Sequence, residues 1–231
     1  MEKDIVYHAL KDSTTEGACP ICAQTSHNIR GAMRSVLYES MTDVEIRDTI
    51  KNARGFCRHH SRLFLEEGDA LNHAIVYGDA LRSALQDVVN GDYSYYENRK
   101  SCYFCDMAKE MEDAYIKACW DAFHEEEFFS AYEKGGLLCM THLHAMESAS
   151  EKEKNGEEFY LKLAQTTIDK YQTMIRQLDE IIRKSDYRNL SEEWTEGEKT
   201  AWKRAVNVIH DRVGIPRGEA AAKKRRLFGR K

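Results

Sequence analysis

Apolar residues recur three and four positions apart along most of the chain, which is the period of an amphipathic α-helix. In the first part of the chain we expect four such stripes to face a core. They are Ile29, Ala32, Met33, Val36 and Leu37; Ile46, Ile50 and Ala53; Leu63 and Phe64; and a long stripe of Leu71, Ala74, Ile75, Leu81, Leu85, Val88 and Val89. Asp69 and Gly91 bound the last stripe as its predicted N-cap and stop.

The same order of stripes returns after residues 92–101, a polar, tyrosine-rich stretch that lacks helical period and is predicted to be a linker. The expected inward positions are Met111, Tyr115 and Ala118; Phe128, Phe129 and Tyr132; and Tyr160, Leu163, Thr167, Tyr171, Met174, Leu178 and Ile181. A final helix, opened by a capping box at residues 195–198, is predicted to turn Trp202, Ala205, Val206 and Ile209 inward.

Two prolines in 231 residues, with 42% hydrophobic and 32% charged residues, favour an ordered helical protein. The predicted fold class is all-α: duplicated, zinc-stabilised helical halves packed as a bundle, with an extra C-terminal helix. The expected segments are a first repeat at 1–91, a linker at 92–101, a second repeat at 102–190, a closing helix at 191–216 and a basic, disordered tail at 217–231.

Cysteine and histidine residues carry the repeat most clearly. Cys19-x-x-Cys22 is followed after 34 residues by Cys57-x-x-His60. In the second set, Cys102-x-x-Cys105 is followed after 33 residues by Cys139-x-x-His142. The copies are offset by 83 residues at the cysteine pairs and by 82 at the Cys-x-x-His pairs. A duplication with a single one-residue deletion explains this spacing.

Each repeat therefore supplies three thiols and one imidazole, the Cys₃His set of structural zinc. The residues three apart lie at predicted helix starts, where they share a face and where the helix dipole favours thiolate over thiol. We expect two zinc ions per chain, with an iron–sulfur cluster as the alternative cofactor. The alignment of the repeats selects His60 over His59, and pairing across the repeats stays open beside pairing within each.

Other chemistry has less support in the sequence. The proline in Cys19-Pro20-Ile21-Cys22 also occurs in thiol oxidoreductases, but no βαβ pattern surrounds it. Cys119 belongs to neither set and is expected to be a buried apolar residue. No phosphate-binding loop, nucleophile elbow or His-Glu-x-x-His motif is present, so the sequence does not support an enzyme.

Charge and hydropathy narrow the range of expected partners and cellular locations. Residues 217–231 carry a net charge of +6 and the rest of the chain −11. Nucleic acid or an anionic surface is therefore expected to bind only through the tail from Lys223 to Lys231, and another protein is the expected partner. Residues 1–10 lack the apolar run of a signal peptide and no stretch could span a bilayer, which predicts a cytoplasmic location.

The motifs together resemble an uncharacterised bacterial family, a domain of unknown function. The resemblance rests on Cys-Pro-x-Cys, Gly-Phe-Cys-x-x-His, a second Cys-x-x-Cys, Leu-Cys-x-x-His and a terminal Glu-Lys-Thr-Ala-Trp-Lys-Arg-Ala, and it covers about Ile5 to Val213. It supports the repeat and implies no reaction. The predicted function is a zinc-binding binding or scaffold protein; the alternatives are a thiol-based redox or zinc sensor and a metal-dependent hydrolase.

Overall fold

Helices make up nearly all of the chain that the structure, a computed structural model, describes: residues 4–15, 17–40, 43–97 and 100–209. Within these ranges there are eleven α-helices and no strand, which confirms the all-α prediction. The helices are α1 (Ile5–Thr15), α2 (Pro20–Ser35), α3 (Val44–Asn52), α4 (Arg58–Glu67), α5 (Ala70–Asn90), α6 (Ser94–Glu97), α7 (Tyr103–Phe123), α8 (Glu126–Lys134), α9 (Met140–Ser150), α10 (Gly156–Lys184) and α11 (Glu196–Ile209). A π-helical segment, Val36–Ser40, extends α2.

Several helix ends form where the sequence predicts them. The Asp69 carboxylate accepts a hydrogen bond from the Asn72 backbone N–H at 2.9 Å, and Gly91 ends α5 with a φ of 64°. At α11 the capping box is reciprocal, since the Thr195 N–H donates to Glu198 and the Glu198 N–H donates to Thr195 Oγ1. These bonds satisfy backbone groups that a helix end leaves unpaired.

The chain divides into two compact units, and the first comprises Met1–Ser13 and Pro20–Ser130. In this unit α2 packs along α7, and α3 packs against α5. Its core includes Ile29, Met33, Leu63, Phe64 and Phe104. The predicted inward positions of α2, α3 and α4 are therefore correct.

The second unit comprises Thr14–Cys19 and the chain from Ala131 onward. Here α10 packs against α9 and α11, around a core of Leu137, Met174, Ala201 and Val208. The Tyr132 hydroxyl is 2.8 Å from Thr167 Oγ1. The predicted inward face of α10 is correct, because all of its members are buried or partly buried.

The predicted inward face of α5 is wrong at most of its positions, although Ile75 packs against the core of the first unit. Leu71, Leu81, Leu85, Val88 and Val89 are 55–71% exposed. The helix instead meets the rest of its unit through its other side, where Val76 and Ala80 are buried and Tyr77 packs against the core. Two ion pairs join the same side to the unit, Arg47 with Asp79 and Arg54 with Asp87.

The predicted face of α11 is wrong in the same way. Trp202, Val206 and Ile209 are 41–64% exposed, whereas Ala201 and Val208 are buried. Ala205, the remaining predicted residue, does pack against the core that contains Ala201 and Val208.

Two further predictions concern the linker at 92–101 and the basic tail at 217–231. The short helix α6 lies inside residues 92–101. The tail at 217–231, including Lys223 to Lys231, lies outside the described residues. Among the described helices, none combines the length and apolar character needed to cross a membrane.

Candidate metal centres

All four cysteine-containing motifs lie at the first turn of a helix. Cys57, Cys102 and Cys139 are the N-cap residues of α4, α7 and α9, and Cys19 directly precedes α2. Proline at the first position of α2 suits a helix start because its missing N–H would have no helical partner. The second donor of each motif, a cysteine or a histidine, is the third residue of the helix, so both donor side chains lie at the positive end of the helix dipole.

The first cluster, called here the Cys57 cluster, consists of Cys57, His60, Cys102 and Cys105. The Nδ1 atom of His60 lies 3.3 Å from Cys57 Sγ, 3.6 Å from Cys102 Sγ and 3.5 Å from Cys105 Sγ. The sulfurs of Cys57 and Cys105 are 3.6 Å apart, which is too far for a disulfide. One imidazole nitrogen thus faces three sulfurs at nearly equal distances.

These distances match the edges of a tetrahedron around one ion. Bond lengths of about 2.3 Å to sulfur and about 2.0 Å to nitrogen place two sulfurs about 3.8 Å apart, and a sulfur and a nitrogen about 3.6 Å apart. The four distances given above differ from these values by at most 0.3 Å, and all donors of the Cys57 cluster lie within 4.8 Å of one another. The residues present therefore fit a tetrahedral metal ion.

The second cluster, called here the Cys19 cluster, consists of Cys19, Cys22, Cys139 and His142. The Nδ1 atom of His142 lies 3.4 Å from Cys19 Sγ and 3.0 Å from Cys139 Sγ. All four donor atoms lie within 4.8 Å of one another. Cys19, Cys139 and His142 are buried and Cys22 is partly buried.

All eight residues singled out by the sequence lie in these two clusters, but they are not grouped by repeat. Of the two groupings that the sequence leaves open, the structure does not show the one in which Cys19 and Cys22 share a site with Cys57 and His60. The first cysteine pair instead meets the last Cys-x-x-His, and the two middle motifs meet each other. This is the exchange across repeats that the sequence leaves open. Its physical basis in the Cys57 cluster is that α7 packs on α2 and α4 also packs on α2, which brings the starts of α4 and α7 together.

Of the adjacent histidines, the structure places His60 and not His59 in the cluster. Cys119 is fully buried in α7 and lies in neither cluster. No further Cys, His, Asp or Glu residue joins a potential metal cluster within the described ranges.

The protein environment alone disfavours thiolates in the Cys57 cluster. Burial raises the pKa of Cys102. Burial, with the neighbouring charges of Cys102 and Cys57, raises the pKa of Cys105 to about 12. A divalent cation reverses this preference because it stabilises each thiolate directly, which is why coordinating thiols lose their protons.

Hydrogen bonds fix the backbone beside both clusters. Tyr77 donates to Ser61 Oγ at 2.8 Å, and Ser61 donates to the Phe56 carbonyl next to Cys57. Near the other cluster, Tyr171 donates to the Leu138 carbonyl at 2.7 Å, one residue before Cys139. Such outer contacts hold metal ligands in a fixed geometry.

The fold and the clusters define an all-α protein with two four-donor sites that are compatible with metal binding. The chain belongs to the family of unknown function DUF6062, whose sequence profile matches it twice, at residues 1–91 and 90–214. This double match agrees with the repeat seen in the cysteine and histidine spacing.

The chain is also similar to a protein from Caldicellulosiruptor sp. (strain Rt8B.4), described as an uncharacterized 23.9 kDa protein in the xynA 3' region. The two are 30% identical over 198 residues, which cover 84% of this chain and 95% of the relative. No solved structure matches the chain.

Proposed function

We propose that this chain is a zinc-binding helical protein that acts as a binding or scaffold module, with two structural Cys₃His sites. The observation that carries the proposal is the spacing of His60 Nδ1 from three sulfurs, 3.3–3.6 Å, which matches a closed zinc tetrahedron. The ligands are Cys57, His60, Cys102 and Cys105 for one ion, and Cys19, Cys22, Cys139 and His142 for the other.

The donor set favours zinc and a structural role. Three thiolates and one neutral imidazole are soft ligands in tetrahedral geometry, which suits zinc, whereas magnesium and calcium prefer oxygen donors. Four protein donors fill the tetrahedron, whereas catalytic zinc keeps a position for water or substrate. The net charge of −1 on such a site is stabilised by the helix N-termini that surround it.

The size of the metal contribution supports a role in folding. Structural zinc contributes about 10–16 kcal/mol of apparent binding free energy at neutral pH. A domain is typically stable by only about 5–15 kcal/mol. Each ion would therefore contribute about as much free energy as the whole net stability of a typical domain.

Metal content of paired substitutions tests both the ligands and their grouping. Cys57→Ser with Cys105→Ser removes two ligands of one cluster, so we expect this chain to retain one zinc ion. Cys19→Ser with Cys57→Ser removes one ligand from each cluster, so we expect both ions to be lost. Elemental analysis of protein purified without added metal measures the stoichiometry, and Cys119→Ser is the matched control that keeps two ions.

The reverse pattern would show that the ligands group within each repeat. A wild-type chain that contains no zinc, or that shows iron–sulfur absorption, would contradict the proposal as a whole.

A thiol-based sensor is the second candidate, and the exposure of the Cys57 cluster favours it. Cys57 and Cys105 are both partly exposed, so an oxidant can reach two of the four donors. In a sensor, mild peroxide releases zinc from wild-type protein and a thiol reductant restores it. Zinc that stays bound until the protein unfolds would contradict this function.

Partner and location follow from the same proposal. A reducing compartment such as the cytoplasm keeps cysteine ligands available for zinc. We propose a protein partner, because the part of the chain outside residues 217–231 is acidic and repels nucleic acid.

A further inference from the structure

The outer face of α5 carries an uncovered row of large apolar side chains. Leu71, Leu81, Leu85 and Val88 are 68%, 69%, 64% and 55% exposed. A contiguous apolar patch on a protein surface often marks an interaction site. Because α5 is already seated on its unit through its opposite side, the row contributes little to the fold of the chain.

The row has the spacing of a coiled-coil seam. Leu71, Gly78 and Leu85 are seven apart, and Ala74, Leu81 and Val88 interleave with them at alternating steps of three and four. This is the a and d pattern of the heptad, continued over almost the full 21 residues of α5. A single apolar side chain on a surface needs no explanation, but six consecutive seam positions without a charge predict a helix partner.

The sizes of the residues along the seam specify the orientation of that partner. When a second α5 is laid antiparallel, Gly78 faces the second copy's Leu81, Ala74 faces its Leu85 and Leu71 faces its Val88. Small then opposes large in the four central layers of the six, which is how facing positions interdigitate. A parallel pair would instead set glycine against glycine and leucine against leucine, leaving a void beside a crowded layer.

Gly78 supplies a separate indication of close approach. Glycine in the middle of a helix costs about 1 kcal/mol relative to alanine. Within the chain a Cβ on Gly78 would meet only the flexible end of Arg82, at 3.4 Å, so internal packing does not require glycine there. A second helix lying against this position does require it.

We propose that two copies of this chain associate through α5 as a two-fold symmetric, antiparallel helix pair. The symmetry is isologous, since each copy offers the same surface and each contact occurs twice. The charges on α5 do not oppose it, because Asp79, Arg82 and Asp87 are already paired within the chain.

The size of the surface sets the expected strength. A helix of 21 residues is about 31 Å long and about 10 Å wide, so each copy contributes a footprint of roughly 300 Å² in projection. The two footprints together are about 600 Å² in projection, and the accessible surface is larger than its projection because the side chains protrude, so the interface lies at the lower end of specific interfaces, about 1,000 Å². We therefore expect a dimer with a dissociation constant of about 1–50 μM.

Sedimentation velocity of the full-length, zinc-loaded chain tests the association. Wild type should shift from monomer to dimer with rising concentration, up to about 200 μM. Leu81→Glu and Leu85→Glu each place two charges in the seam, and we expect each to weaken the dimer at least about 100-fold. Both side chains are exposed in the single chain, so the helical circular dichroism and the zinc content should not change.

The matched controls are Leu161→Glu and Ile175→Glu on α10, whose side chains are 60% and 56% exposed. These variants should dimerise as wild type does. A wild-type chain that stays monomeric at the highest concentration overturns the proposal, and so do α10 variants that weaken the dimer as much as the α5 variants.

Gly78→Leu tests the orientation. In the antiparallel pair the new leucine meets the second copy's Leu81, so we expect the dimer to weaken at least about tenfold while the single chain becomes more helical. The double variant Gly78→Leu with Leu81→Gly restores one small and one large residue in that layer, and should recover dimerisation. A stronger dimer on Gly78→Leu alone would show a parallel pair and overturn the proposed geometry.

Discussion

Each candidate centre contains a single histidine, and in both the Nδ1 atom of the ring lies close to cysteine sulfurs. In the Cys57 cluster the Nδ1 atom of His60 lies 3.3–3.6 Å from its three neighbours. His60 is the third residue of its helix, as Cys22 and Cys105 are of theirs. A cysteine in place of His60 would therefore point its sulfur in nearly the same direction as the Nδ1 atom. The fourth ligand can therefore change type while the tetrahedron is kept.

Replacing His60 distinguishes a metal ligand from a packed side chain. We expect His60→Cys to retain two zinc ions as a Cys₄ site, whereas His60→Ala retains one ion. Elemental analysis together with thermal unfolding measures both effects. His59→Ala is the matched control and should keep two ions; if His60→Ala also kept two, His60 would not be a ligand.

The ion pair of Lys184 and Glu198 stabilises the contact of α10 with α11. The Nζ atom of Lys184 lies 2.9 Å and 3.0 Å from the two carboxylate oxygens, and both residues are buried. The hydrogen bond from Lys184 lowers the pKa of Glu198 below its ordinary value of 4.5. A carboxyl group whose pKa is lower in the folded state stabilises the fold above its ordinary pKa, and this contribution is lost as the pH falls through the lowered value.

Glu198→Gln should therefore lower the melting temperature at pH 7, because it leaves the Lys184 ammonium without its carboxylate. The difference from wild type should shrink as the pH falls below about 4.5. Both proteins contain the same clusters, so acid release of metal affects both curves alike. An equal difference at pH 7 and pH 3.5 would show that the ion pair does not contribute.

At the scale of residues, the sequence alone identifies the eight donor residues but does not show which motifs share a site. Recurrence of the spacing singled out eight residues, and alignment of the repeats chose His60 over His59. Both groupings, within and across repeats, use the same residue types in the same numbers, so the local chemistry of Cys19 or Cys57 does not depend on which motif it meets. Only the packing of whole helices decides that question.

At the scale of helices, the sequence predicts the helix ends correctly, but it does not always predict which face of a helix is buried. Asp69, Gly91 and the Thr195–Glu198 box mark helix ends because their hydrogen bonds involve only neighbouring residues. The choice of inward face depends on distant contacts. For α5 and α11 the longer apolar stripe is expected to face the core, but the structure leaves most of that stripe exposed and packs another side of each helix, with Val76 of α5 and Val208 of α11 in the cores.

Two glycines in the first unit should respond in opposite ways to the same substitution. Gly55 lies between α3 and Cys57 with a φ of 90°, and a Cβ there would lie 3.2 Å from Tyr77. We expect Gly55→Ala to destabilise the fold by about 1–3 kcal/mol, because the backbone and the ring must both move. Gly31 lies within α2 with nothing within 4 Å of a Cβ, so Gly31→Ala should stabilise the fold by about 0.5–1 kcal/mol. Chemical denaturation measures both changes, and destabilisation by Gly31→Ala would show that α2 needs glycine there for another reason.

At the scale of the whole chain, each cluster draws its donors from both sequence repeats. The two clusters differ in solvent exposure. Two donors of the Cys57 cluster are partly exposed, whereas in the Cys19 cluster only Cys22 is. A chelator reaches exposed ligands sooner.

We therefore expect a chelator to remove zinc in two phases, the faster from the Cys57 cluster, with loss of helical circular dichroism in each. A metal-sensitive dye measures the release. Cys139→Ser should abolish the slow phase and Cys102→Ser the fast one. A fast phase that persists in Cys102→Ser would reverse the assignment. Lower pH should speed both phases, because protons compete with the metal for thiolates.

The grouping of the motifs also has a consequence for the order of events on the ribosome. The donors of the Cys57 cluster are all present once Cys105 has been synthesised, and the unit that contains them ends at Ser130. The Cys19 cluster lacks two donors until His142 has emerged. The nascent chain would therefore be able to bind its first ion before Cys139 and His142, the other donors of the Cys19 cluster, have been synthesised. Synthesis of the chain would then set the order in which the two ions are bound.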